Sequence, residues 1–169
     1  FVGGEAHRGD MVWSAAVPEE LRSRATAVIG NFPVSQASQY TRLEWLQTFS
    51  AGVDAYICPG VLPRGTMVTN ASGAYGQSVS EHMFATMWAL MKNLNRYASN
   101  QRDHQWQDEG PVLSPEGGIA LIIGVGDIGS HFAQLAQSVG MRTFGVRRHA
   151  DVPAKGIEKM YGFERLETL

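Results

Sequence analysis

Cysteine is almost absent from this sequence: Cys58 is the one example in 169 residues. An internal disulfide is therefore excluded, and the chain fits a reducing, cytoplasmic setting. Cys58 itself, ahead of Pro59 at what reads as a strand end, is expected to be a small buried filler. Positive charge is in short supply too. Lys and Arg total 14 against 16 Asp and Glu, a net charge of −2, which leaves no basic footprint for nucleic acid. No apolar run approaches the ~20 residues that span a bilayer, so no membrane partner is expected. There is no internal repeat, no low-complexity tract, no signal-peptide pattern and no initiator Met before Phe1. No metal site is expected. What is present is a chain 44% apolar and 18% charged, able to build a good core or two small lobes.

The most informative stretch runs from Ile119 to His149. A continuous apolar run, Ala120 to Ile123, reads as a parallel strand buried on both faces. Gly124-Val125-Gly126-Asp127-Ile128-Gly129 follows at once. In such a turn Gly124 lets the chain bend sharply, Gly126 lets backbone approach a phosphate, and Gly129 lets the next helix pack tightly on the strand. Ile128, Phe132, Leu135, Ala136 and Val139 recur at helical spacing, Gly140 suits the position just past the helix end, and Thr143 to Val146 form the next strand. Strand, glycine turn, helix and strand in this order predict a dinucleotide site, with the pyrophosphate on the helix N-terminus. The carboxylate of Asp127 is expected to face solvent. A tight turn with no ligand is the alternative.

The end of the second strand is where such a site reads the ribose. An acid ~20 residues past the glycines would accept hydrogen bonds from a free 2′-hydroxyl. This chain has Arg147, Arg148 and His149 there. A guanidinium binds a 2′-phosphate through its planar fork, whereas a carboxylate would repel it. NADP is therefore expected over NAD; the alternative is that both arginines are solvated surface charges.

Ahead of this unit, short helices and strands alternate, which predicts an α/β chain with a parallel sheet. Pro18-Glu19-Glu20-Leu21 reads as a helix start. Residues 25–29 and 45–49 read as strands, and Ala55 to Ile57 and Thr66 to Thr69 as short strand-like pieces. Ser78 and Glu81 have capping-box spacing. Val79, Met83, Met87, Leu90 and Leu94 then form one helical stripe, widened by Trp88 and Met91. A more polar segment runs from Asn95 to Trp106, followed by loop signals at Glu109-Gly110-Pro111 and Ser114-Pro115. The boundary between lobes is expected near residues 76–98.

Several of these pieces, in order and spacing over roughly residues 25–150, resemble the D-2-hydroxyacid dehydrogenase family. They are Ser50-Ala51-Gly52-Val53-Asp54, Thr69-Asn70-Ala71-Ser72-Gly73, Val79-Ser80-Glu81-His82, Gln105-Trp106 and the glycine motif with Gly140-Met141. The resemblance implies two Rossmann- or flavodoxin-like lobes on parallel sheets, both incomplete in this chain. Residues 1–77 would be the substrate-binding lobe, 78–98 the connecting helix and 99–169 the dinucleotide-binding lobe. It implies a fragment lacking the C-terminal half of the family, which carries a catalytic arginine, glutamate and histidine. None of His7, His82, His104, His131 and His149 matches that histidine.

By the same resemblance, backbone at Ser50, Ala51, Gly52 and Val53 would bind a substrate carboxylate, and a strand-end glycine turn does expose N–H groups to an anion. Phe49, Leu62 and Tyr75 are candidates to line the substrate pocket. Gly124, Gly126, Asp127, Ile128 and Gly129 would line the pyrophosphate, with Arg147, Arg148 and His149 behind. The arginines depart from the acid common in the family and favour NADP, with NAD second. The implied activity is hydride transfer between NADP(H) and a small 2-keto or (2R)-hydroxy acid, reduction favoured. The implied assembly is a homodimer, with which the face of Met83, Met87, Trp88 and Met91 is compatible, as it is with packing inside one chain. Two other readings stay open: a dinucleotide-binding regulatory protein of the same fold, and another dehydrogenase on this scaffold, acting on phosphoglycerate or formate. This chain alone is expected to be inactive.

Overall fold

A computed structural model describes residues 17–169. They divide into two compact units, one ending at Ser72 and the other beginning at Gly73.

In the first unit, Pro18 precedes α1 (Glu19–Arg22), whose first turn carries Glu19 and Glu20 against the positive end of the helix. Strands β1 (Ala27–Ile29), β2 (Trp45–Gln47) and β3 (Met67–Thr69) pair in that order, all parallel, with Val28, Leu46 and Val68 in register. A 3-10 helix (Val34–Gln39) links β1 to β2, and α2 (Asp54–Ile57) lies between β2 and β3. The core gathers Phe32, Ala37, Tyr40, Leu43, Leu46 and Tyr56. Phe32 stacks on Tyr40 with ring centroids 4.3 Å apart and meets Tyr56 edge-on at 5.3 Å. Burial pushes the Tyr40 phenol up, a shift that the Arg22 guanidinium partly offsets.

The strand expected over Ala55–Ile57 is a helical turn instead. The Val53 carbonyl accepts from the N–H groups of both Tyr56 and Ile57. That turn delivers Tyr56 to the core, where its hydroxyl accepts from the Phe32 N–H at 3.0 Å and donates to the Phe32 carbonyl at 2.6 Å. One phenol thus satisfies both polar groups of a buried peptide segment, a long-range bond that no local pattern announces. Cys58, expected to be buried, is exposed, and its thiol donates to the Asp54 carbonyl.

The second unit runs α3 (Gly76–Met91), α4 (Leu94–Arg102), β4 (Ile119–Ile123), α5 (Asp127–Ser138), β5 (Arg142–Val146) and β6 (Lys159–Tyr161). The strands pair in chain order, all parallel. Helix α5 packs on β4, β5 and α3. Ile122, Val125 and Ala133 form the centre of the core, with Phe132, Ala154, Ile157 and Met160 around them. Glycine makes two of these contacts possible. A Cβ on Gly145 would stand 2.6 Å from Val125 Cγ2, and one on Gly156 2.7 Å from the Gln134 backbone nitrogen. At the rim, Arg142 and Glu158 form a bidentate pair that holds the Glu158 carboxyl below the usual range.

Four expectations change here. The Ser78/Glu81 capping box is not formed: α3 starts earlier, at Gly76, and Glu81 accepts instead from the Gln77 amide. The helix does not continue through Leu94, because Asn93 adopts a left-handed φ of 53° and separates α3 from α4. The α3 stripe is rotated: Gly76 and Ser80 are buried, while Met83 and Leu90 are exposed. Small residues there let the backbones of α3 and α5 approach, and Phe84 meets Phe132 edge-on at 6.4 Å. Strand β4 is not buried on both faces either. Ile122 is 6% exposed, whereas Leu121 and Ile123, on the opposite face, are 40% and 59% exposed, so one face of the strand packs and the other stays open.

Replacing Tyr56 by Phe should strand the Phe32 N–H and carbonyl and cost roughly 1–3 kcal/mol. Urea unfolding would show a lower midpoint at unchanged slope; an unchanged midpoint would mean that water substitutes for the phenol.

Candidate functional site

The glycine turn lies between β4 and α5. The Gly124 N–H extends the ladder by donating to the Val146 carbonyl at 2.9 Å, and Gly124 then takes a φ of 94°, open to glycine. Val125 turns inward, 2% exposed, into the space left by Gly145. Gly129 is buried so closely that a Cβ there would stand 2.5 Å from the Gly124 carbonyl oxygen. At Gly126 a Cβ would meet nothing within 4 Å. The three glycines therefore differ: one bends, one leaves open space, one packs.

Helix α5 begins at Asp127, and Ser130 is the residue whose N–H reaches back to the Gly126 carbonyl. The N–H groups of Asp127, Ile128 and Gly129 have no partner among the described residues. They form the positive end of a 12-residue helix beside the open face of Gly126. At the other end Gly140 has a φ of 82°, and the N–H groups of Gly140 and Met141 return to the carbonyls of Gln137 and Ala136. That double return is a Schellman cap, and it aims the chain into β5.

The Asp127 side chain is exposed, and its carboxylate oxygens lie 2.4 and 2.6 Å from where a Cβ on Gly76 would stand. It stands at the positive end of α3, and only glycine at position 76 leaves room for it. His131 Nδ1 lies 3.4 Å from the same carboxylate and 2.9 Å from the Asp127 carbonyl. Ile128, expected in the apolar stripe, is 37% exposed; the buried face of α5 is Gly129, Ala133 and Ala136.

Past β5, Arg147 is half-buried and its guanidinium is turned onto backbone carbonyls. Nε donates to His149 at 2.9 Å, Nη1 to Val125 at 3.2 Å, and Nη2 to Val152. Arg148 and His149 are exposed, and their side chains make no hydrogen bond or ion pair among the described residues. No acid occurs from Arg147 to Ala150.

In the first unit, the turn after β2 has its carbonyls occupied in sequence. Ser50 accepts from Thr48 Oγ1 and the Ala71 N–H, Ala51 from Asn70 Nδ2, and Gly52 from Ser50 Oγ. Asn31 braces the turn, donating to Ser50 Oγ and accepting from the Phe49 N–H. The N–H groups of Ala51, Gly52 and Val53 have no partner among the described residues. Sequence alone assigned no role to Asn31 or Thr48, and Asn70 stood out only within the Thr69-Asn70-Ala71-Ser72-Gly73 motif.

Of the other candidates, Leu62 packs against the first core, and Phe49 and Tyr75 are 41% and 43% exposed. His82 and His104 are exposed, and His7 lies outside the described residues. Among the described residues no three His, Cys, Asp or Glu are placed to hold a metal, and no helix is long and apolar enough to cross a membrane.

The glycines give a direct check. Gly129→Ala forces a methyl against backbone and should cost roughly 1–3 kcal/mol, whereas Gly126→Ala should change stability by about 1 kcal/mol or less. Thermal unfolding of the two variants side by side would show it; equal losses would contradict the packing described.

Residues 84–169 match the family model described as D-isomer specific 2-hydroxyacid dehydrogenase, NAD binding domain. An uncharacterised protein from the mprR 3′ region of Streptomyces coelicolor is 26% identical over 126 residues, 75% of this chain and 45% of that protein. The D-3-phosphoglycerate dehydrogenase of Bacillus subtilis strain 168 is 30% identical over 105 residues, 62% of this chain and 20% of that enzyme. Among solved structures, a D-isomer specific 2-hydroxyacid dehydrogenase family protein from Aeromonas salmonicida subsp. salmonicida A449 superposes with a TM-score of 0.78 at 28% identity, covering 89% of this chain and 48% of that one. The chain thus spans less than half the length of each of these relatives. The match over more than half of its residues, on the α/β fold with parallel sheets described above, places the chain in the D-isomer specific 2-hydroxyacid dehydrogenase family.

Proposed function

We propose that this chain is part of an oxidoreductase that moves a hydride between NADP(H) and a small 2-keto or (2R)-hydroxy acid, reduction being the favoured direction. The observation that carries the reading is the row of unpartnered N–H groups at Asp127, Ile128 and Gly129 beside Gly126, whose missing Cβ leaves open space. A pyrophosphate fits donors of that kind, and backbone can approach it only where no side chain intervenes. Gly124, Gly126, Asp127, Ile128 and Gly129 would hold the pyrophosphate, and the nicotinamide supplies the hydride chemistry. NADP is favoured over NAD because cations and no acid close the β5 end, at Arg147, Arg148 and His149.

The substrate carboxylate is assigned to the turn at Ser50, Ala51, Gly52 and Val53. Its carbonyls are engaged by side chains and by the Ala71 N–H, so its free N–H groups are what it offers to a ligand. Donors held in place by such bonds need no reorganisation when an anion arrives. Residues 1–77 would then serve the substrate, 78–98 connect, and 99–169 serve the dinucleotide. A cytoplasmic homodimer is part of the same proposal. The exposed Met83 and Leu90 of α3 and Leu94 of α4 are apolar surface that a second copy would cover, and light scattering on the full-length protein would return twice the protomer mass.

Binding to the full-length protein tests the cofactor assignment. NADPH should bind about tenfold or more tightly than NADH, the scale of one charge-assisted contact. Gly126→Ala should lose affinity for both, with a stability change of about 1 kcal/mol or less. Equal or tighter NADH binding would remove the NADP assignment. A spectrophotometric screen of 2-keto acids with either cofactor would then identify the substrate, and absence of turnover with all of them would remove the reductase assignment.

A further inference from the structure

We propose that Arg147 is a positioning residue that sets the glycine turn, and that contact with a 2′-phosphate falls to Arg148. The proposal rests on the dinucleotide reading above; its Arg147 half does not depend on the choice of NADP.

A guanidinium recognises phosphate through two parallel N–H groups presented on one edge. In Arg147 each guanidinium nitrogen already donates to a backbone carbonyl. Nε and Nη2 hold the loop after β5 through the carbonyls of His149 and Val152, and Nη1 holds the Val125 carbonyl in the glycine turn. Three of the five guanidinium N–H groups are thus committed to backbone, which leaves fewer for a phosphate than a free guanidinium would offer. What it does instead is tie two loops together. Val125 is gripped at both ends, its side chain in the space over Gly145 and its carbonyl by Arg147. The same peptide donates its other polar group, the Gly126 N–H, to the Gly124 carbonyl at 3.1 Å. The Val125–Gly126 peptide plane is therefore fixed on both edges, and with it the orientation of the open face of Gly126. Val125 is 2% exposed, so solvent is poorly placed to replace the guanidinium. Arg148 is the opposite case: adjacent in the chain, exposed, and without a hydrogen bond or ion pair among the described residues.

The two roles separate by which cofactor loses affinity. In the full-length protein, Kd for NADPH and NADH would be measured for wild type and for Arg147→Met, Arg147→Lys and Arg148→Met. Arg147→Met should weaken both cofactors by about tenfold, the worth of one buried charge-assisted bond, and leave their ratio unchanged. Arg147→Lys, which can still reach one carbonyl, should recover part of that loss for both cofactors alike. Arg148→Met, a surface change, should weaken NADPH by about tenfold and leave NADH unchanged. Selective loss of NADPH in Arg147→Met or Arg147→Lys would overturn the positioning role, as would no loss for either cofactor. NADPH binding unaffected by Arg148→Met would overturn the assignment of Arg148. Wild type that binds neither cofactor would overturn the dinucleotide reading itself, and would be seen before any variant is made.

Discussion

The second unit depends on one close approach, the seating of Gly129 against the Gly124 carbonyl. With a Cβ position 2.5 Å from that oxygen, no other side chain fits without moving backbone. The contact fixes where α5 starts relative to the end of β4. From there the chain of consequences is short. A helix started at that point leaves its first N–H groups beside Gly126 and brings Ala133 and Ala136 onto the sheet. It also places Asp127 against Gly76 at the start of α3. A shift in that seating would move the N–H row, the core and the α3 contact together.

The same physical device serves both candidate sites. A loop becomes a good anion receptor when its carbonyls are satisfied elsewhere, because what remains to be offered is N–H. In the glycine turn the Gly124, Val125 and Gly126 carbonyls accept from the Gly126 N–H, Arg147 and the Ser130 N–H. In the turn after β2 those of Ser50, Ala51 and Gly52 accept from Thr48, Asn70, Ser50 and the Ala71 N–H. Neither device requires a charged residue aimed at the ligand. The cost is borne by polar side chains that must sit in fixed rotamers to hold backbone still.

Legibility in the sequence followed the range of the interactions. Strand β4, the glycine turn, α5 and its Gly140 cap were readable because they rest on neighbours a few residues apart and on glycine's own conformational freedom. The strand expected at Ala55–Ile57 failed because Tyr56 is held by Phe32, 24 residues away. The stripe on α3 was misplaced because hydrophobicity alone favours Met83 and Leu90. The helix instead buries Gly76 and Ser80, small residues that allow close approach.

By itself, then, the sequence determined the parallel α/β class, the strand, glycine turn, helix and strand that follow one another from Ile119, and the cations at the end of that unit. These follow from periodicity, glycine placement and the sign of charge, which are properties of short windows. Only the tertiary structure decided what Arg147, Asp127 and Asn70 do with their polar groups. Their partners were set by which carbonyl or helix end the fold brought within reach.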